Sequence, residues 1–297
     1  MVHILNRKIP RNSFTLEQLF MEMSLVTATT LIGALFIAGA IAGLTAGLFG
    51  NGGGFVVVPA LLAVFPLFSE NYAQHIYLAV GTSLASIIIS SSRSVQAHMK
   101  RDAVDFQILR DWAPWLVIGV AIGLYIASLV DGSNLILMFA VGVLFYSFYF
   151  LFPQLFAKQT GFSMPTGAGR GLLATFLGGF SSLLGIGGGT ITVVTMVMCD
   201  RKVHQAVATA AGVGFIISVP GTIGFAYLGW QTADLPIGSF GYVNLPALAA
   251  ISLMSIITAP IGAGWAHNLN EIHLKRIFGL YLLGVSSTMF YKTLTTF

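Results

Sequence analysis

The chain has 297 residues, of which 56% are hydrophobic and 8% charged, with a mean hydropathy of +0.86. A soluble domain carries about a quarter charged residues, so a water-soluble enzyme or scaffold is excluded and an integral membrane protein is indicated. The net charge of +4 does not mark a nucleic-acid partner, because the bases are scattered over short loops between apolar runs, which is a topology signal. The single cysteine, Cys199, excludes an internal disulfide and a multi-thiolate metal site.

Residues 1–23 read as an N-terminal interfacial segment. Leu16, Leu19, Phe20 and Met23 recur at helical spacing behind a Thr15/Gln18 capping box, and Arg7, Lys8 and Arg11 would sit near headgroups. No cleavable signal peptide is evident, because the first long apolar run begins near Ser24 and is too long for one. Residues 24–157 read as a first transmembrane repeat and 158–297 as a second, together one membrane domain. Each repeat opens on an apolar segment broken by glycines, "GLFGNGGGFVVVP" at 47–59 and "SLLGIGGGTITVV" at 182–194.

In the first repeat a long arm (24–48) precedes the break and a short arm (55–68) follows it. Then come "LAVGTSLASIII" at 78–89 and apolar runs at 112–130 and 135–156. The second repeat repeats the order: arms at 171–184 and 190–199, "QAVATAAGVGFII" at 205–217, and runs at 242–266 and 277–291. At about 1.5 Å rise per residue, a short arm of about ten residues covers about half the hydrocarbon core. The expected fold is therefore an all-α polytopic membrane protein of two homologous halves arranged as inverted repeats, each a glycine-broken re-entrant hairpin plus three transmembrane helices.

That arrangement puts Lys100, Arg101, Arg110, Lys158, Arg170, Arg201, Lys202, Lys275 and Arg276 on one side, while the opposite loops around Glu70, Asp131 and Asp234 contain no Lys or Arg. The basic side is expected to be cytoplasmic. Both termini then lie outside, with Arg7, Lys8, Arg11 and Lys292. The alternative is a first broken segment that crosses fully from inside, which brings the amino terminus into the cytoplasm and breaks the repeat symmetry.

Backbone that leaves the helix at membrane depth frees N–H and C=O groups that lipid cannot satisfy, so it is tolerated only inside protein or along a wet cavity. The short arms begin half-helices whose first N–H groups have no partner and carry about half a positive charge. Glycine lets a ligand approach them. Asn51, Gly52, Gly53, Gly54, Gly187, Gly188, Gly189 and Thr190 are accordingly candidates for binding a small anionic substrate. Thr82, Ser83 and Thr209, on the spans that follow, could add hydroxyl donors, or could bond back to their own helices. A fixed Lys or Arg at that depth would cost about 3 kcal/mol, and helix ends attract an anion without that cost. Glycines that merely pack helices are the competing reading, and Gly119 with Gly123 is assigned to it.

His75 and His204 are candidates for proton coupling and Arg93 for a vestibule. The alternatives are interfacial histidines and an arginine snorkelling to headgroups. No metal site, cofactor or catalytic residue is expected. No Lys-Ser or Lys-Thr pair follows the glycines, so there is no P-loop, and the serines of "GGFSS" (178–182) have no histidine expected within reach for hydrolysis. A passive anion channel could use the same helix ends. A coupled proton or sodium ion, and a homodimer, stay open.

"GNGGGFVVVP" (50–59) and "AVGTSL" (79–84), with their counterparts "GIGGG" (185–189) and "AVATA" (206–210), resemble the TauE/SafE sulfite exporter family over nearly the whole chain. The resemblance implies a secondary transporter of sulfur-containing oxyanions such as sulfite or organosulfonates, exporting them across a prokaryotic inner membrane, with other organic anions as the alternative. The chain departs from the pattern in its second half, where Val194 stands in the place of Pro59 and Ala210 in that of Ser83. The two half-sites are thus chemically unequal.

Overall fold

The computed structural model describes residues 16–68, 72–156, 163–266 and 271–296. Arg7, Lys8, Arg11, Glu70 and Lys158 lie outside the described residues. The chain is almost entirely helical: α1 (Leu16–Phe49), α2 (Gly54–Val64, continued by a 3-10 turn Phe65–Leu67), α3 (Tyr72–Met99), α4 (Phe106–Leu129), α5 (Gly132–Leu151), α6 (Pro153–Phe156), α7 (Gly167–Leu184), α8 (Gly189–Met198), α9 (Val203–Leu228), α10 (Leu245–Trp265) and α11 (Glu271–Thr296). Among the described residues, six helices are long and apolar enough to cross a membrane: Thr29–Phe49 of α1, Ala73–Met99 of α3, and α4, α5, α9 and α10.

Two local features differ from expectation. The helix expected over 16–23 is continuous with α1, because no Gly or Pro stands before Gly33 to end it. The run expected to begin at Tyr242 is instead preceded by a two-stranded hairpin, Ser239–Phe240 with Val243–Asn244, and α10 starts where Asn244 accepts from the Ala247 N–H. Asp105 and Asp131 begin α4 and α5 in the same way, accepting from Ile108 and Asn134.

Small residues set the helix pairs by letting backbones touch. A methyl on Gly39 would stand 2.4 Å from the Ile251 carbonyl oxygen and one on Gly47 2.1 Å from that of Ala259, so α1 and α10 run parallel in close contact. The pair α4 and α7 is also parallel, with Gly119 on Thr175 and Gly123 on Gly179 and Ser182; Gly119 and Gly123 are packing glycines. By contrast, α3 and α9 run antiparallel: Gly81 lies on Phe225, Leu84 on Gly221 and Ser91 on Gly214. So do α5 and α11, where Ser147 donates to the Gly279 carbonyl at 2.9 Å and Ser286 to that of Ala140, also at 2.9 Å.

The molecule has a basic end and an opposite end. At the basic end Arg101 donates to the Ala263 carbonyl, Arg170 pairs with Asp111 at 2.7 Å, Lys275 lies over the Tyr149 ring, and Cys199 after α8 meets the Ser163 carbonyl before α7. At the other end Tyr77 stacks on Tyr242 and bonds to the Val130 carbonyl, and Tyr242 bonds to Gln74. The apolar core lies between these ends, with Phe55, Phe139, Phe150, Phe225 and Leu84 fully buried.

Candidate functional site

From α1 the chain turns through Gly50, Asn51, Gly52 and Gly53 into α2; from α7 it turns through Gly185, Ile186, Gly187 and Gly188 into α8. Gly53 and Gly188 cap the two short helices at φ +82° and +70°, a left-handed conformation that would cost a residue with a Cβ about 1–2 kcal/mol. The next residues make the closest contact. A methyl on Gly54 would stand 2.1 Å from the Gly185 carbonyl oxygen, and one on Gly189 2.0 Å from that of Gly50. The two turns therefore cross backbone on backbone, each helix start seated on the other turn.

This crossing gathers positive potential. The first N–H groups of α2 and α8 have no acceptor within their helices, and both helices direct the positive ends of their dipoles here. Asn51 is fully buried; its Oδ1 accepts from the Gly53 N–H at 3.1 Å, which turns the side-chain amide Nδ2 to a position with no partner. Ser91 and Ser181 are also fully buried, with hydroxyls that make no hydrogen bond. Ser181 Oγ lies 3.0 Å from where a methyl on Gly188 would stand, and Ser91 Oγ the same distance from one on Gly214, the residue packed on Gly187. An amide and hydroxyls left unpaired in an apolar interior cost about 1–3 kcal/mol each. They are polar groups beside the crossing that the protein itself leaves unsatisfied.

Other predicted residues have partners within the protein. Ser83 donates to the Gly185 carbonyl at 2.8 Å and Ser90 to that of Gly52 at 2.9 Å, so α3 holds both turns. Thr82 Oγ1 accepts from the Asn244 N–H and Thr209 Oγ1 from the Asp105 N–H, each at 2.9 Å, tying α3 and α9 to the starts of α10 and α4. Thr190, 3% exposed, has an unpartnered hydroxyl and stands in the first turn of α8. His75 is buried beside Phe65, His204 is exposed at the basic end, and Arg93 is exposed and bonds to Gln96. Asn51, Gly52, Gly53, Gly54, Gly187, Gly188, Gly189, Thr190 and Ser83 are thus brought together, whereas Thr82, Thr209, His75, His204 and Arg93 stand apart.

Sequence reasoning missed Ser91 and weighed Ser181 only as a nucleophile. The signal for Ser91 was present in "SSSRS" at 90–94, two turns beyond Ser83 on the same helix. Among the described residues no three His, Cys, Asp or Glu stand together. The Cys199 thiol, past the end of α8, is pushed up by burial and then by Asp200, with Arg201 opposing.

A crevice of about 20 Å³, room for about one water, opens at the basic end between His98, His204, Val207, Leu48 and Phe49. One residue of its lining, Val207, also meets the first turn, its carbonyl oxygen 2.4 Å from where a methyl on Gly50 would stand. Val80 takes the same place against Gly185, with its Cα 3.2 Å from such a methyl. Its neighbourhood at the other end, Ile76, Leu135, Leu184 and Phe225, is packed shut, each residue at most 1% exposed.

The family profile described as "Sulfite exporter TauE/SafE" matches residues 35–289. A "Probable membrane transporter protein" of Haemophilus influenzae is 33% identical over 269 residues, spanning 89% of this chain and 99% of its own. A relative of the same description from Methanocaldococcus jannaschii is 28% identical over 263 residues, 86% of this chain and 93% of its own. One from Bacillus subtilis is 29% identical over 212 residues, 64% and 76%. No solved structure matches the chain. With six apolar helices of spanning length and a profile match over most of its length, this is an integral membrane transporter, and the chain belongs to the sulfite exporter TauE/SafE family.

Proposed function

We propose that the protein is a secondary transporter of small sulfur-containing oxyanions, sulfite or an organosulfonate, which it exports by alternating access. The observation that carries this reading is the crossing of two glycine turns, where two helix starts converge beside the unpartnered Asn51 amide. A tetrahedral or pyramidal oxyanion offers several acceptors around one centre, which suits donors arriving from two directions. Partial charges hold it without a fixed cation, so release stays fast.

Inverted repeats built on re-entrant hairpins are part of the proposal. In their support, α3 opposes its counterpart α9 and α5 opposes α11, whereas the exchanged pairs α1–α10 and α4–α7 are parallel. Because α1 and α4 run in opposite directions within a half, two halves of the same topology would make α3–α9 and α5–α11 parallel and the exchanged pairs antiparallel, the reverse of what is seen. The Cys199–Ser163 contact supports a hairpin whose outer ends share the basic end. By the positive-inside rule that end faces the cytoplasm of a prokaryotic inner membrane. The crevice open at one end and shut at the other fits one of two alternating states, with His204 at its mouth as the candidate for proton coupling.

The test is sulfite counterflow in proteoliposomes, with thiosulfate, sulfoacetate, sulfate and chloride as competitors. Saturable exchange competed by sulfur oxyanions is expected. Flux that rises linearly with concentration and shows no counterflow would instead identify a passive channel. The absence of any sulfite flux from folded protein would reject the substrate.

A further inference from the structure

Beside the start of α8, a groove of about 390 Å³ runs between α5, α7 and α8. Its walls are aromatic: Phe145, Phe176 and Phe180, with Phe176 stacked on Phe180 at 5.5 Å. Phe145 is 69% and Phe176 57% exposed on the outer apolar surface, so the groove opens sideways to lipid. Tyr146 and Thr190 also line it, 5% and 3% exposed, and their hydroxyls have no hydrogen-bond partner. Thr190 is in the first turn of the ten-residue helix α8, whose free N–H groups add donors.

The other half carries a corresponding groove of about 550 Å³ between α1, α2 and α11. Val285 stands in the place of Tyr146, as fixed by the reciprocal Ser147–Gly279 and Ser286–Ala140 bonds, while Phe55, the counterpart of Thr190 in the aligned turns, does not line that groove. Its own hydroxyls are engaged, Thr45 with the Ala42 carbonyl and Tyr281 with that of Phe55. An acyl chain alone satisfies such a groove. It does not satisfy the first one, where two buried hydroxyls need a polar head.

We infer that the groove of α5, α7 and α8 is a membrane-facing site for a single-chain carboxylic acid, its carboxyl group held by Tyr146, Thr190 and the start of α8 and its tail lying along Phe145, Phe176 and Phe180. A carboxyl group both donates and accepts, which matches hydroxyls able to do either together with N–H groups that only donate. The neutral acid reaches this depth without the cost of moving a bare charge into hydrocarbon, and the α8 dipole then favours its ionised form. The site shares Thr190 and the start of α8 with the crossing, but its occupant is inferred from the groove's own lining and not from sulfite transport.

The test is photolabelling in nanodiscs with a palmitic acid analogue bearing a diazirine on its tail, followed by peptide mapping, beside the matching palmityl alcohol analogue. The acid is expected to label 145–149, 176–180 and 191–194, with palmitate competing and palmityl alcohol not. The pair Thr190→Val and Tyr146→Phe should lower that labelling about fivefold or more, as expected for lost head-group hydrogen bonds, while the α1–α2–α11 groove labels equally with both probes. Equal labelling of the first groove by acid and alcohol would overturn the proposal, as would undiminished labelling of the double variant. Should that variant fail to elute as folded protein, the acid-versus-alcohol comparison on the unaltered chain decides alone. Because no transport is read, failed counterflow leaves this result untouched.

Discussion

Asn51 separates two roles in one side chain. Its Oδ1 shapes the turn by accepting from Gly53, and its amide nitrogen has no partner in the protein, which makes it the donor of the proposed anion site. Asn51→Asp keeps the first and reverses the second, placing a carboxylate where an anion would bind. Sulfite exchange should fall at least about tenfold, the ~1.5 kcal/mol or more of one charge-assisted hydrogen bond, with thermal unfolding in detergent nearly unchanged. Exchange at the unaltered rate would remove Asn51 from the site. The glycines and Asn51 were legible in the sequence because a broken helix at membrane depth has few physical explanations, and two breaks in register have fewer. Ser181 and Ser91 were not, since a serine on a long helix gives no sign of the direction it faces until its neighbours are placed.

At the scale of elements, the spans and the two broken segments could be read from apolar length and glycine spacing, and the observed helices follow them closely. Two features could not be read this way. The hairpin before α10 depends on pairing of only two residues per strand, too short for a periodic pattern. The roles of Thr82 and Thr209 depend on contacts between halves: each accepts the N–H of the residue that caps a helix of the other repeat. A hydroxyl near the middle of the chain's signature motif looks like a ligand donor, yet here it joins elements. Thr82→Val should therefore strand the Asn244 N–H and lower stability by about 1–3 kcal/mol, read as an earlier unfolding midpoint, while the KM for sulfite stays the same. Thr82→Ser should restore the midpoint. A raised KM with unchanged stability would instead return Thr82 to the binding site.

For the whole molecule, the proposed inverted repeats combine matching contacts with unequal access. Val207 and Val80 touch Gly50 and Gly185 in corresponding ways, but Val207 borders a crevice, while Val80 is fully buried. Interiors packed as densely as this change between discrete arrangements and do not deform gradually, so opening the Val80 side requires the two halves to exchange arrangements. With Cys199→Ser as background, Val207→Cys, beside a crevice with room for about one water, should react only slowly with a small membrane-impermeant thiol reagent from the basic end, and Val80→Cys should be silent from either end at rest. When substrate is supplied from the opposite end during exchange, labelling of Val80→Cys from that end should rise as that of Val207→Cys falls. Reaction at both positions together would describe an open pore. Constant labelling at Val207→Cys, with Val80→Cys silent throughout turnover, would show that the crevice at the basic end takes no part in an alternating cycle and that the anion reaches the crossed turns by another path.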